Sequence, residues 1–224
     1  MGRDRVAEVE VVDQGRRSAA LVELAERKGL GDVAVHAQLD GRDVPPRSSK
    51  KYLENLQGYF DRHDQGYLAT MGGRYFGMDR DERWDRTEKA YRAMVKGEAE
   101  VQATDPLEAL KDAYEERDET DEFVTPTVFV DEDGDPRTTI EPEDGVIFFN
   151  FRPDRARQMT RALTDPDFEK FETPYVIENF ASMTEYDEEF EKNRHFYPLV
   201  IQFGLDSLDS MDASEIQTRL RELR

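Results

Sequence analysis

The chain alternates between short runs rich in β-branched and aromatic residues and longer stretches in which apolar residues recur every three or four positions. The short runs predict strands and the longer stretches predict amphipathic helices. The predicted strands are Val6–Val12, Val33–Ala37, Tyr67–Met71, Val146–Phe149, Tyr175–Ile177 and Leu199–Phe203. The predicted helices are Ser18–Lys28, Lys50–Phe60, Trp84–Val95, Leu107–Arg117, Asp154–Leu163 and Ala213–Leu223.

A turn-forming segment, Asp131–Pro136, separates the runs Thr127–Val130 and Arg137–Ile140 and predicts a hairpin. The expected fold class is therefore α/β, with a layered sheet of mostly parallel strands flanked by helices and a small antiparallel hairpin element. Beyond Met183 the sequence turns acidic before a last strand and helix. We therefore expect two parts, an α/β domain over 1–187 and a divergent strand-helix tail over 188–224.

The charge of the chain restricts its partners. Acidic residues number 51 against 31 basic ones, which gives a formal net charge of −20. Long-range repulsion therefore argues against nucleic acid and against anionic membranes as partners. Of the basic residues 23 are Arg and 8 are Lys, and such an acidic, Lys-poor composition raises the hypothesis of a protein that works in high salt.

Several kinds of chemistry have no support in the sequence. Cysteine is absent, which excludes thiol catalysis and thiolate metal sites, and the histidines share no metal-ligand spacing. Neither a Walker-type loop nor a Gly-x-Gly-x-x-Gly after a strand is present. Ser48 and Ser49 precede a helix and are interpreted as N-caps rather than nucleophiles. No run approaches the roughly 20 apolar residues of a membrane span, and we expect a cytoplasmic protein.

Three predicted strands lead into loops rich in arginine, namely Asp40–Arg47, Gly72–Trp84 and Phe151–Arg157. Because ligands of open α/β sheets bind outside the carboxyl ends of the strands, these loops are expected to share one rim. Five arginines could surround one ligand there: Arg42, Arg74, Arg80, Arg152 and Arg155.

Arginine suits an anion site because its planar fork makes paired hydrogen bonds to carboxylate or phosphate and keeps its charge at physiological pH. Asp43 is the carboxylate that we expect to act as a proton carrier. Neighbouring cations would keep it ionised, so it could accept the hydrogen of a hydroxyl group. The glycines of these loops, at positions 41, 72, 73 and 77, allow close approach of the backbone or a positive φ.

A simpler interpretation is also open. An arginine in a surface loop usually forms an exposed ion pair that contributes about 0–1 kcal/mol. On this view the rim arginines pair only with nearby Asp79, Asp81 and Asp154. That three loops at one edge share the same character favours a common ligand instead.

The three loops carry a resemblance to a known family. The segments Val35–Pro46, Gly73–Arg86 and Phe148–Gln158 resemble motifs of the cofactor-independent phosphoglycerate mutases, in the same order. Met183–Asp187 resembles the segment where that family's chain returns from its inserted domain to its phosphatase-like domain. The likeness covers about Ala19–Asp187.

The resemblance implies a function for each rim residue. In that family a phosphatase-like domain with two divalent metals, usually manganese, carries a serine that takes the phosphate from 3-phosphoglycerate, while the inserted domain holds the glycerate. Asp43 would then handle the hydroxyl proton. The residues that would grip carboxylate and phosphate are Arg42, Arg74, Arg80, Arg152 and Arg155.

No stretch of this sequence matches the family's nucleophilic serine or its metal ligands. The sequence therefore predicts no cofactor in this chain and no turnover without a separate metal-bearing phosphatase domain. Three interpretations stay open: the substrate-clamping domain of a glycolytic phosphoglycerate mutase, a stand-alone phosphoglycerate-binding module or pseudoenzyme, and a structural remnant.

Overall fold

The centre of the fold is a sheet that holds seven strands among the described residues. The structure is a computed structural model that describes residues 5–12 (backbone), 22–23, 25–27, 29–150 and 152–182, all within one compact unit, Met1–Thr184. The strands are β1 (Arg5–Val12), β2 (Asp32–Leu39), β3 (Tyr67–Gly73), β4 (Val101–Ala103), β5 (Thr127–Phe129), β6 (Gly145–Phe149) and β7 (Phe180–Ser182). Their order across the sheet is β4-β5-β3-β2-β1-β6-β7.

Most neighbouring strands run parallel, as the sequence predicts. The one antiparallel pair in the described sheet is β3 with β5, where Thr70 lies opposite Val128 and Met71 opposite Thr127. The α/β class with a mostly parallel sheet is therefore confirmed. The antiparallel contact, however, lies within the main sheet rather than in a separate hairpin.

The predicted hairpin is reduced to one bridge, between Val130 and Pro136. Its second arm, Arg137–Ile140, is not a strand, because Ile140 donates its backbone N–H to the carbonyl of Met94 instead. The bridge itself is held by two hydrogen bonds of 2.9 Å, from the N–H of Arg137 to the carbonyl of Phe129 and from the N–H of Asp131 to the carbonyl of Asp135.

The helices are α1 (Lys50–His63), the short α2 (Arg74–Gly77), α3 (Trp84–Tyr91), α4 (Pro106–Glu115) and α5 (Pro153–Thr164). A π-helical turn, Arg92–Lys96, continues α3 and ends at Gly97, whose φ is +64°. The carboxylate of Asp105 accepts the N–H groups of Leu107 and Glu108, which explains why α4 starts there. The described part of predicted helix Ser18–Lys28, residues 22–23 and 25–27, is helical.

Two apolar clusters cover opposite faces of the sheet. One joins alternate residues of β2, such as Val35 and Ala37, to α1 and α4. The other joins Val146 and Phe148 of β6 to α3 and α5. β2 is buried from Val33 to Leu39, as expected of a central parallel strand with helices on both sides.

Two strand predictions need correction. Tyr175–Ile177 is not a strand: both end residues pack into the second cluster, and Ile177 donates its N–H to the carbonyl of Leu163 at 2.8 Å. The strand of this region is β7, a few residues later and parallel to β6. The predicted strand Leu199–Phe203 and helix Ala213–Leu223 lie outside the described residues. None of the helices in the described ranges has both the length and the apolar character that a membrane crossing requires.

Candidate anion-binding site

The three arginine-rich loops meet at one edge of the sheet. β2, β1 and β6 are parallel neighbours, and β3 runs parallel to β2, so the carboxyl ends of these strands lie together. Asp43 from the loop after β2 accepts a hydrogen bond of 2.9 Å from Arg74, which follows β3. It also accepts a longer one, 3.4 Å, from Arg152, which follows β6. Asp43 thus contacts two arginines that are distant in the sequence, Arg74 at a separation of 31 positions and Arg152 at a separation of 109 positions.

Arg74 is the buried member of this group, with 2% of its side chain exposed. Arg74 stands directly after β3, at the first position of α2, and this backbone position fixes the direction in which its side chain leaves the chain. Its Nη1 donates to Asp43 and also to Asp40, a buried carboxylate that the sequence reasoning did not single out. Burial opposes the charge of Arg74, but the hydrogen bonds to both carboxylates outweigh it and raise the pKa of the guanidinium.

Asp43 is held in its ionised form. The hydrogen bond from Arg74, followed by the charges of Arg74 and Arg152, keeps the pKa of Asp43 below its usual value, although partial burial opposes the shift. Its side chain is 55% exposed, so one face remains open to a ligand. An ionised, accessible carboxylate of this kind can accept a proton from a hydroxyl group.

Arg80 and Arg152 share a second carboxylate, Asp154, at the start of α5. Arg80 donates to Asp154 at 2.8 Å, and the Nε of Arg152 lies 3.8 Å from the other oxygen. All three side chains are 42–46% exposed. Both arginines therefore have a carboxylate partner, as the remnant interpretation expects for Asp154.

Arg155 lies among other cations. Its Nη1 donates to the carbonyl of Met78 at 3.1 Å, and its Nε is buried with no hydrogen-bond partner in the described part of the chain. Burial lowers the pKa of Arg155, and the charges of Arg80, Arg74 and Arg152 lower it further. These four arginines are therefore close enough to repel one another, and an anion placed among them would relieve that repulsion.

Arg42 behaves differently from the other four predicted residues. Its Nη1 lies 3.4 Å from Glu122 and its side chain is 60% exposed. Neither Asp43 nor another rim arginine is among its side-chain partners within the described ranges. The structure thus brings Asp43, Arg74, Arg80, Arg152 and Arg155 together, and it leaves Arg42 at the margin.

The loop glycines serve a contact that the sequence does not reveal. Gly41, at φ +63°, and Gly73 both pack against the backbone of a short 3-10 helix, Asp121–Phe123. A Cβ at Gly41 would stand 2.7 Å from the Glu122 nitrogen, and one at Gly73 would meet the Glu122 carbonyl oxygen. The glycines therefore admit a distant backbone segment that closes one side of the rim.

The same turn supplies the cap of α1, which corrects the interpretation of Ser48 and Ser49. Ser49 occupies the N-cap position, but its hydroxyl makes no capping bond. Instead the buried carboxylate of Asp121 accepts the backbone N–H groups of Ser48 at 2.8 Å and Ser49 at 3.0 Å, as well as the hydroxyl of Tyr114. A carboxylate at a helix N-terminus satisfies free N–H groups and complements the helix dipole.

A buried aspartate also organises the loop that carries Arg80. Asp79 accepts the N–H groups of Asp81 and Arg83 and a hydrogen bond from Gln158 of α5. Burial alone would raise the pKa of Asp79, but these hydrogen bonds and the charge of Arg86 outweigh it and lower the pKa. Its side chain is 3% exposed.

The lowered pKa of Asp79 makes part of the stability depend on pH. A carboxyl whose pKa is lower in the folded protein stabilises it above its unfolded pKa, about 3.9, and loses that contribution as the pH falls through the folded value. We expect Asp79→Asn to reduce the free energy of unfolding by about 1–3 kcal/mol at pH 7 and by less at pH 3. Urea denaturation at both pH values measures this. The exposed Asp81→Asn serves as control, and an Asp79→Asn deficit that stays constant with pH would contradict the assignment.

The described residues do not fit a metal site. Among them there is no group of three or more histidine, aspartate or glutamate side chains that could hold a metal ion.

The fold and the rim define a class: an α/β domain with a cationic cluster at the carboxyl ends of its strands. The family model described as BPG-independent PGAM N-terminus (iPGM_N) matches residues 11–188. The chain therefore belongs to the BPG-independent phosphoglycerate mutase N-terminus family, and the resemblance predicted from the loop motifs is confirmed. A second model, a domain of unknown function (DUF8160), matches residues 158–224.

Individual relatives agree with this assignment. The chain is 51% identical over 178 residues to a 2,3-bisphosphoglycerate-independent phosphoglycerate mutase of Clostridium tetani, which covers 80% of this chain and 34% of the relative. It is 50% identical over 185 residues to that of Moorella thermoacetica, covering 82% of this chain and 36% of the relative. A crystal structure of Leishmania mexicana phosphoglycerate mutase at low cobalt concentration superposes with a TM-score of 0.74 and 32% identity, covering 80% of this chain and 34% of that one. The chain thus spans about a third of the length of these relatives.

Proposed function

We propose that this chain is the substrate-clamping part of a phosphoglycerate mutase, and that its rim binds phosphoglycerate during the interconversion of the 3- and 2-isomers in glycolysis. The observation that carries the proposal is the contact of Asp43 with Arg74 and Arg152, which come from two other loops. Family membership and relatives named as phosphoglycerate mutases support the choice of ligand.

Each residue of the rim has a distinct task in this proposal. The guanidinium groups of Arg74, Arg80, Arg152 and Arg155 bind the carboxylate and phosphate of the ligand, with Arg42 joining from the margin. Asp43 exchanges a proton with the glycerate hydroxyl, since it is ionised and half exposed. These groups hold and orient the ligand. Arginine and carboxylate side chains can do this without a metal ion or a nucleophile.

Phosphoryl transfer needs a nucleophile and a stabiliser of developing charge. We propose that both come from a separate metal-bearing phosphatase domain that uses two divalent ions, manganese by family resemblance, and not from the described residues.

We further propose a division into 1–187 and 188–224, supported by the end of the iPGM_N match at residue 188. A cytoplasmic location and adaptation to high salt are part of the same proposal, the latter supported by the net charge of −20.

Titration calorimetry with 3-phosphoglycerate tests the proposed binding. We expect saturable binding that Arg152→Ala weakens about tenfold, the effect of losing one charge-assisted hydrogen bond. Because Arg152 is 45% exposed and its described ion pairs, with Asp43 and Asp154, lie at the surface, the variant should keep wild-type stability within about 1 kcal/mol.

The matched control is Arg92→Ala. Arg92 is 41% exposed and pairs with Glu88 and Glu98 on the outside of α3 and the following turn. Its removal should leave phosphoglycerate binding unchanged. Absence of heat with both phosphoglycerate and sulfate would contradict the proposal and favour a structural remnant.

The alternative function is a stand-alone binding module or pseudoenzyme, with which the absence of a metal-ligand group among the described residues is equally compatible. A coupled assay separates the two. On the mutase proposal the chain alone shows no isomer interconversion, and adding the metal-bearing domain of a mutase with manganese restores it. A binding module binds phosphoglycerate but gives no turnover under any supplement. Turnover by the bare chain after metal removal would contradict both.

A further inference from the structure

Asp40 is a buried carboxylate that connects two loops of the rim. It stands directly after β2, and its side chain is 2% exposed. One oxygen of Asp40 accepts a hydrogen bond from the guanidinium of Arg74, which follows β3. The carboxylate also lies 3.3 Å from the backbone nitrogens of Arg42 and Asp43, whose N–H groups donate to it.

These contacts fix the direction of the Asp43 side chain and of the Arg74 guanidinium. A short Asx turn closes the backbone from Asp40 to Asp43, so the Asp43 side chain leaves the loop at a set position. On the other side, Asp40 and Asp43 both use Nη1 of Arg74. Nη2 of Arg74 is buried without a hydrogen-bond partner among the described residues. The fork is thus anchored at Nη1, through which it holds both carboxylates.

We propose that Asp40 is a positioning residue of the phosphoglycerate site, which holds Arg74 and the Asp43 loop in one geometry without touching the ligand. This inference rests on the proposed function and deepens it. It gives the buried charge pair a task beyond balancing charge. A carboxylate that only neutralised Arg74 would have no need of the two backbone N–H groups of the neighbouring loop.

The variants Asp40→Asn and Asp40→Ala separate the two tasks. An asparagine oxygen can still accept the N–H groups of Arg42 and Asp43, but the amide removes the charge that holds Arg74. For Asp40→Asn we expect the backbone amide NMR signals of Arg42 and Asp43 to stay near their wild-type positions. The side-chain guanidinium signals of Arg74 should shift and exchange faster with solvent. Binding of 3-phosphoglycerate should weaken about tenfold. For Asp40→Ala both sets of signals should move.

The controls keep the test decisive if Asp40→Asn does not fold. Asp40→Glu retains the charge but moves the carboxylate by one methylene, so it cannot close the same turn, and it should also weaken binding about tenfold. Asp81→Asn, at an exposed neighbour that pairs with Arg83, should change neither the Arg74 signals nor binding. Wild-type affinity and unchanged Arg74 signals in a folded Asp40 variant would overturn the proposal. So would loss of folding in every Asp40 variant, because Asp40 would then hold the fold rather than the site.

The Arg74 and amide signals are recorded without ligand, which separates this test from that of the proposed function. If the wild-type chain fails to bind 3-phosphoglycerate, the proposed function is wrong. The NMR signals of the Asp40 variants still decide whether Asp40 holds Arg74 and the loop.

Discussion

Replacing Arg74 with methionine should lower the free energy of unfolding by about 3–5 kcal/mol, because the substitution leaves a buried carboxylate without its cation. Arg74 and Asp40 are each 2% exposed, so water cannot take over the lost interaction. Urea denaturation monitored by fluorescence measures the change. A loss of less than about 0.5 kcal/mol would contradict the buried pair.

A double-mutant cycle serves as the control for this prediction. Asp40→Asn removes the charge that Arg74→Met leaves unpaired, so the double variant should lose less stability than the sum of the two single variants. Additive losses would mean that the two side chains do not depend on each other. The exposed Arg152 provides the contrast, since its removal is expected to affect binding rather than stability.

Gly73→Ala is expected to cost about 1–3 kcal/mol of unfolding free energy. The new Cβ would lie 2.8 Å from the carbonyl oxygen of Asp121 and closer still to that of Glu122. These are backbone atoms that cannot rotate away, so the 3-10 turn Asp121–Phe123 has to move. The Asp121 cap of α1 would move with it, which weakens the bonds to Ser48 and Ser49.

The matched control for Gly73→Ala is Gly31→Ala. Among the described residues no atom lies within 4 Å of a Cβ added at Gly31, and the φ of Gly31 is not positive, so the substitution should leave stability within about 0.5 kcal/mol. Urea midpoints of both variants give the comparison. Equal stability of the two would show that the turn does not press against the end of β3.

The pattern of apolar and polar residues along the chain predicted the central strands and the loops that follow them. β2, β3 and β6 are apolar runs followed by polar loops, and parallel pairing then places those loops together. This is why Asp43, Arg74 and Arg152 could be chosen from the sequence. The run Tyr175–Ile177 misled the strand prediction because apolar residues also serve core packing without pairing, and β4, with three residues, is too short to give a pattern.

The residues that the sequence did not reveal act across long separations. Asp121 caps a helix that starts 71 positions earlier in the chain, and Asp40 holds an arginine 34 positions away. In the sequence each is one acidic residue among 51. Only the fold identifies the partner of each carboxylate. For Arg42 the opposite holds. Its position in the loop predicted that it joins the cluster of rim arginines, but in the structure it pairs with Glu122.

The exposed rim arginines Arg80 and Arg152 are paired with Asp154 and Asp43. Under the proposed function, an anion that binds there has to exchange partners with these two carboxylates. A single negative group would gain little from such an exchange, as it replaces one carboxylate by another. A molecule with a phosphate at one end and a carboxylate at the other can displace two at once, so on this proposal the ion pairs would disfavour monovalent anions such as chloride.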